Sequence, residues 1–254
     1  MSLRPAFLAI GFLTAILTLA GATTNKVSDA EIEGRDVVRQ LLEFRPAENL
    51  THLATLKIRD GKKHKLEIPV RSEIIVTETN WLTVYETLTN TNAQEYEKLT
   101  VSHSFNQPNL YSLSTHQTCG AVASTDGLTM RPYAGSDFWL ADLGLEFIHW
   151  PGQKILKKEL KRGQSCYVLE SRNPAPSTNG YSRVVSWLDI DSVRDSGQAA
   201  IVQAEAYDPR NKLLKEFDLK ELGKVNGQWQ VKEIEIRNVQ TGSRTLLKFN
   251  LEKP

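Results

Sequence analysis

A chain of 254 residues with 40% hydrophobic and 24% charged residues is too apolar for a disordered protein and long enough to bury a sizeable core. Its 31 basic and 30 acidic residues nearly cancel, so there is no electrostatic case for a nucleic-acid or anionic-membrane surface. Two cysteines and five scattered histidines, none at i, i+2 or i, i+4 spacing, make no zinc knuckle and no simple metal site.

The first residues read as an export signal. Arg4 precedes an apolar run from Ala6 to Ala20, and Ala20-Gly21-Ala22 offers a small-residue cleavage site, which makes residues 1–22 a signal peptide and 23–254 one mature domain. An uncleaved anchor is the alternative. If the chain is exported, Cys119 and Cys166 meet an oxidising compartment and could form a disulfide. Cys166 equally fits a plain buried strand position, because it alternates with Val168.

The mature part opens with a helix. Ser28 and Glu31 have capping-box spacing, Val27 and Ile32 have staple spacing, and Val37, Val38, Leu41, Leu42 and Phe44 form an apolar stripe that Pro46 ends. The stripe is expected to pack on the apolar face of a sheet, with a dedicated partner helix as the alternative. From Asn49 the period changes to two. Runs at 53–58, 66–79, 82–89 and 96–105 read as strands separated by Asp60-Gly61-Lys62, Asn80 and Asn90-Thr91-Asn92. Pro69 within its run predicts an edge strand or a bulge. Residues 107–132 are less regular, with room for a short strand and a loop.

The segment from Gly135 to Trp150 carries Phe138, Trp139, Leu140, Leu143, Leu145, Phe147 and Trp150. It is too short to span a membrane and too apolar for a surface loop, so it should act as a lid. After it come β-branched and aromatic runs at 155–162, 165–171 and 181–190. Four more follow at 199–207, 213–219, 228–239 and 244–251, joined by Asp208-Pro209-Arg210-Asn211, Asn226-Gly227 and Gln240-Thr241-Gly242-Ser243. Short turns make neighbouring strands antiparallel, and ten or eleven strands are enough to curl a sheet strongly.

Several motifs are resembled without their context. Asp189-Ile190-Asp191 has the spacing of paired phosphoryl-transfer aspartates, but the antiparallel texture around it predicts a turn with its acids in solvent. The same stretch fails as a calcium loop, since Val193 stands where an oxygen ligand is needed. No nucleophile elbow, phosphate-binding loop or dinucleotide fingerprint occurs, and the reading is non-enzymatic, with no cofactor and no metal.

A family resemblance runs through the second half. Gly135-Ser136-Asp137-Phe138 with Asp142-Leu143, Cys166-Tyr167-Val168-Leu169-Glu170, Tyr181-Ser182-Arg183-Val184-Val185 with Trp187 and Asp189, and Asn238-Val239-Gln240-Thr241-Gly242 with Arg244-Thr245 occur in order over about 129–249. Together they resemble the bacterial outer-membrane lipoprotein-sorting protein family, of the LolA/LolB-like superfamily. The resemblance implies an unclosed antiparallel β-barrel with helices over its concave face, holding acyl chains or another apolar ligand.

The fold expected is therefore α+β and β-dominated: one strongly curved antiparallel sheet with an N-terminal helix and a short lid over the concave face. The function expected is a periplasmic carrier or chaperone of lipid or lipoprotein acyl chains, for outer-membrane lipoprotein sorting or lipid trafficking. Its partners would be an inner-membrane transporter or an outer-membrane acceptor, and Phe138, Trp139, Leu143, Phe147 and Trp187 are the candidate pocket residues. An envelope-stress sensor or interaction module on the same fold is the alternative, followed by an exported hydrolase whose residues converge only on folding.

Overall fold

The computed structural model describes residues 27–88, 96–105, 107–115, 119–122, 129–195, 201–225 and 228–251. The expected signal peptide and the turns at 90–92 and 226–227 lie outside them.

Helix α1 (Asp29–Glu43) starts where the sequence places it. Ser28 and Glu31 close a reciprocal capping box, and Val37, Val38 and Leu41 are buried, while the staple pair Val27 and Ile32 stays exposed. Six strands follow: β1 (Leu50–Arg59), β2 (Lys65–Val76), β3 (Asn80–Thr87), β4 (Glu97–Ser104), β5 (Leu110–Thr115) and β6 (Cys119–Val122). Seven more come after the lid: β7 (Gly152–Lys161), β8 (Gln164–Arg172), β9 (Arg183–Asp189), β10 (Ile201–Tyr207), β11 (Leu213–Val225), β12 (Gln228–Asn238) and β13 (Arg244–Asn250). Among the described residues the strands number thirteen rather than ten or eleven because 107–132, read as mostly irregular, supplies both β5 and β6.

All thirteen pair antiparallel in one sheet of order β6-β5-β4-β3-β2-β1-β13-β12-β11-β10-β9-β8-β7. The chain thus winds outward from β1 to one edge, crosses to the other edge, and meanders back until β13 closes on β1. The described part of the crossing, residues 129–151, contains the lid, so topology itself carries the lid over one face of the sheet.

That face is concave. The backbone N–H of Ala134 donates to Glu97 on β4, and the ammonium of Lys215 on β11 donates to the carbonyl of Asp137. On a flat sheet the six steps β4-β3-β2-β1-β13-β12-β11 would separate those strands by about 29 Å. Residues 134 to 137 span at most about 11 Å, and side chains rise off a sheet rather than along it. Only a curled sheet lets so short a segment touch both.

Two apolar clusters fill the concave side. One joins Val37, Val38 and Leu41 of α1 to Phe147, Trp150, Leu169, Val184, Leu188 and Ala204; the other joins Tyr133, Phe138 and Leu140 to β1, β2, β4, β5, β12 and β13. A third, holding Cys166, Val168, Val185, Trp187 and Val202, lies on the opposite face, because successive strand residues point to opposite sides. Cys166 is a free, buried strand residue.

Two local expectations are corrected. Pro69 sits in β2, which lies between β1 and β3, not at an edge. Its carbonyl accepts from Leu88, one residue past the last β2–β3 pair, Val70 with Thr87. Pro69 thus faces Leu88 just past the end of β3, and the N–H it lacks removes only the reciprocal bond at that terminal pair. Asp189 does not face solvent either. It is buried and accepts from the backbone N–H and hydroxyl of Ser192, starting helix α3 (Ile190–Asp195), which packs on β8 and β9.

Candidate functional site

Ala134 and Gly135 at φ 49° and 66°, and Leu145 at φ 50°, are left-handed points that bend the chain on either side of helix α2 (Leu140–Leu143). A 3-10 helix (Glu146–His149) completes the crossing. Gly144 lies so close to β5 that a Cβ there would run into the ring of Tyr111, which explains a glycine at a position of ordinary negative φ.

The four lid residues expected to line a pocket divide between the two concave clusters. Phe138 is fully buried and Leu143 half-buried in the cluster over β1, β2, β4 and β5, while Phe147 and the half-buried Trp139 belong to the cluster shared with α1. Trp187 is separated from all four. It lies on the opposite face of β9, with its indole N–H donating to Glu159 (2.5 Å) and the Lys161 ammonium over its ring at 4.4 Å.

Between lid and sheet is a small cavity of about 30 Å³, walled by Phe147, Val184, Ala204, Ala206, Phe217 and Ile236. Asp142, Tyr181 and Lys215 also reach it. Ligand pockets usually measure hundreds of Å³. With the lid down this one has room for little more than a water molecule. The concave bowl is filled by the protein's own lid.

What fixes the lid there was not among the predicted site residues. Lys215 of β11 is buried at 1% exposure. Its Nζ donates to the Asp137 carbonyl (2.7 Å), pairs with the Asp142 carboxylate (3.3 Å), and stands 3.5 Å from the centre of the Trp139 ring. Burial pushes its pKa down to about 8, while Asp142 and then Asp137 pull the other way, so it keeps its proton at neutral pH. The Tyr181 hydroxyl donates to Asp142 (2.8 Å), and its ring stacks on Trp139 at 4.7 Å. Burial, with Asp142 beside it, holds that phenol well above its usual range, so it stays a donor. Asp142 also accepts the Trp139 backbone N–H (2.7 Å). Asp137 accepts from the hydroxyls of Ser243 and Thr245, and its own N–H donates to Thr245 (2.9 Å).

Asp137, Asp142, Tyr181 and Thr245 all stand in the motifs that carried the family resemblance. Their roles were hidden because a motif read along the chain does not say which strands will face it. Lys215 had no sequence signal beyond a lysine inside a strand run.

A second set of ties holds the lid's far end. His103 on β4 stacks on Trp81, and its ring nitrogens face Thr83 Oγ1 (3.0 Å) and Asn109 Oδ1 (2.9 Å). Asn109 donates to the Gly144 carbonyl (2.7 Å). Thr83, His103 and Asn109 have the outline of a nucleophile relay, but burial pushes the His103 pKa down to about 4, too weak a base near neutral pH. The trio works as a brace between sheet and lid.

A wider groove of about 820 Å³ is lined by residues of β1, β2, β11 and β13, with Lys232 of β12. Three of its lysines are already engaged, Lys57 with Glu67, Lys232 with Glu221 and Lys248 with Glu233. Among the described residues no group of three or more His, Cys, Asp or Glu could hold a metal ion, and no helix is long and apolar enough to cross a membrane.

Solved structures with this arrangement exist. A DUF1329 family protein from Desulfovibrio piger superposes with a TM-score of 0.70 at 16% identity, covering 88% of this chain and 92% of that one. A putative outer membrane lipoprotein-sorting protein domain from Vibrio parahaemolyticus gives 0.66 at 19% identity, covering 87% and 91%. A LolA superfamily protein from Nitrosomonas europaea gives 0.58 at 13%, covering 87% and 94%. At these identities the likeness establishes the fold alone, an unclosed antiparallel β-barrel. No match is found among curated proteins. A family model described as "Uncharacterized protein" matches residues 123–252, about half of the chain and the whole of its lid and returning strands, and the chain belongs to that family.

Proposed function

We propose that the protein is a non-enzymatic carrier of aliphatic chains, lipid or lipoprotein acyl groups, which it holds against the concave wall after the lid is displaced. The observation that carries this reading is the lid itself. A wall of Val184, Ala204, Ala206, Phe217 and Ile236 is covered by a segment that adds a small set of buried polar ties to its apolar contacts. Lifting it would expose apolar surface at about 25 cal/mol per Å², a cost that an incoming chain of similar area offsets. Phe138, Trp139, Leu143 and Phe147 would then meet the chain from the lid side. The apolar run at 6–20 and the LolA-like fold favour a periplasmic protein that exchanges its cargo with a membrane partner, an inner-membrane transporter or an outer-membrane acceptor.

Titration with dansylated undecanoic acid tests the reading. Saturable binding with a blue-shifted emission is expected, and Ala204→Phe, which fills the bowl from the wall, should weaken it about tenfold or more. Trp187→Phe, on the opposite face, should not change it. No uptake by the native protein, or loss in Trp187→Phe but not in Ala204→Phe, would remove the bowl as the binding site.

A further inference from the structure

Among the described residues, every acceptor bonded to the Lys215 ammonium belongs to the lid: the Asp137 carbonyl and the Asp142 carboxylate, with the Trp139 ring lying over the charge. Asp142 takes the Tyr181 hydroxyl as well. The two donors stay behind when the lid leaves, since Lys215 is on β11 and Tyr181 stands just before β9. Around them the wall is Val184, Ala204, Ala206, Phe217 and Ile236.

A ligand that refills the bowl must bury this pair again. A neutral chain would strip water from the ammonium and give it no counter-charge, which is costly in an apolar site. A chain ending in an anion would place its charge where Asp142 had been. The lid itself is built on that plan, with an apolar body and one carboxylate facing Lys215 and Tyr181.

Building on the carrier reading above, we propose that the cargo is an anionic amphiphile, an aliphatic chain with a carboxylate or phosphate head that Lys215 and Tyr181 hold in place of the Asp142 carboxylate. The lid is then a built-in competitor for the same two donors, and Lys215 is the residue that sets head-group specificity.

The test is displacement of dansylated undecanoic acid from the full-length protein by dodecanoate, dodecyl phosphate and dodecanol, which share a chain and differ in the head. A hydrogen bond to a charged group is worth enough that the better of the two anions should displace the probe at a roughly ten- to hundredfold lower concentration than the alcohol. Which anion leads identifies the head. In the double variant Lys215→Met with Asp142→Asn, which removes both charges together, the ratio of anion to alcohol should fall to near one. Equal displacement by anions and alcohol in the native protein would overturn the head-group assignment while leaving the carrier intact. A ratio that survives in the double variant would overturn it too, by placing the anion elsewhere. Failure of the probe to bind at all would overturn both readings.

Discussion

The concave face has two covers, and they are held down differently. Helix α1 lies on β7 through Val37, Val38 and Leu41, and Gly34 comes so close to that strand that a Cβ would sit 2.8 Å from the Lys154 Cα. Its charged side chains stay at the surface, as in the Glu33–Lys158 pair. The lid buries aromatic side chains too, but its position is fixed by buried polar groups: Asp137 with Ser243 and Thr245, Asp142 with Tyr181 and Lys215, and the Gly144 carbonyl with Asn109. Apolar burial alone is strong and indifferent to small shifts in position, whereas a buried polar set holds one geometry and loses much of its strength once water reaches it. On the carrier reading, α1 belongs to the permanent wall and the lid is the part that moves.

The largest break in that contrast should come from Lys215→Ala. Removing the ammonium leaves the Asp142 carboxylate facing an apolar wall, and truncating one member of a buried pair typically costs about 3 kcal/mol or more. Chemical denaturation should show that loss, and hydrogen exchange should speed up in residues 137–145 while α1 stays protected. Equal loosening of both covers would erase the distinction.

Acid should act on the lid's far end. Burial holds the His103 pKa at about 4, below its ordinary 6.5. The unfolded chain therefore binds the extra proton between those values, and stability rises with pH across them. His103 contributes fully above about pH 6.5, and that contribution disappears as the pH falls towards 4, a change on the order of 3 kcal/mol. His103→Gln, which keeps a neutral hydrogen-bonding side chain, should flatten the stability profile in that window. Asn109, Thr83 and Trp81 surround the ring and do not titrate there, and the neighbouring His149 is also pushed down by burial, so part of any remaining slope belongs to it.

Gly34→Ala probes the other cover. The new methyl meets the backbone of Lys154 and Gln153, not a movable side chain, so α1 must back away from β7, at a cost of about 1–2 kcal/mol. Exchange should rise in α1 and leave residues 137–145 unchanged. Smallest of all, Ser28→Ala removes the helix cap and should cost about 1 kcal/mol, visible as fraying of the first turn.

Much of the wall was legible in the sequence because strand and helix periods are local. The runs from Leu53 onward, the capping box at Ser28 and the apolar lid could be read without knowing what they touch. What stayed hidden depends on the partner. Alternation along β9 puts Val185 and Trp187 on one face and Val184 and Leu188 on the other, but only pairing decides which face is concave, and so Trp187 was grouped with lid residues it never meets. Pro69 fits a strand that is not at the edge because β3 ends beside it, a fact about a neighbour. Lys215 reads as a solvated strand lysine until the crossing segment, more than seventy residues earlier, is laid over it.

The central claim, that lid and ligand compete for one bowl, is tested most directly by hydrogen exchange with and without saturating dodecanoate, following the amides of Leu140, Ala141 and Gly144, which bond to Arg131, Thr129 and Leu140 carbonyls. The account predicts faster exchange in these lid amides on loading, with the amides of Val37, Val38 and Leu41 unchanged. Saturation of the protein with the lid amides as protected as before would contradict it.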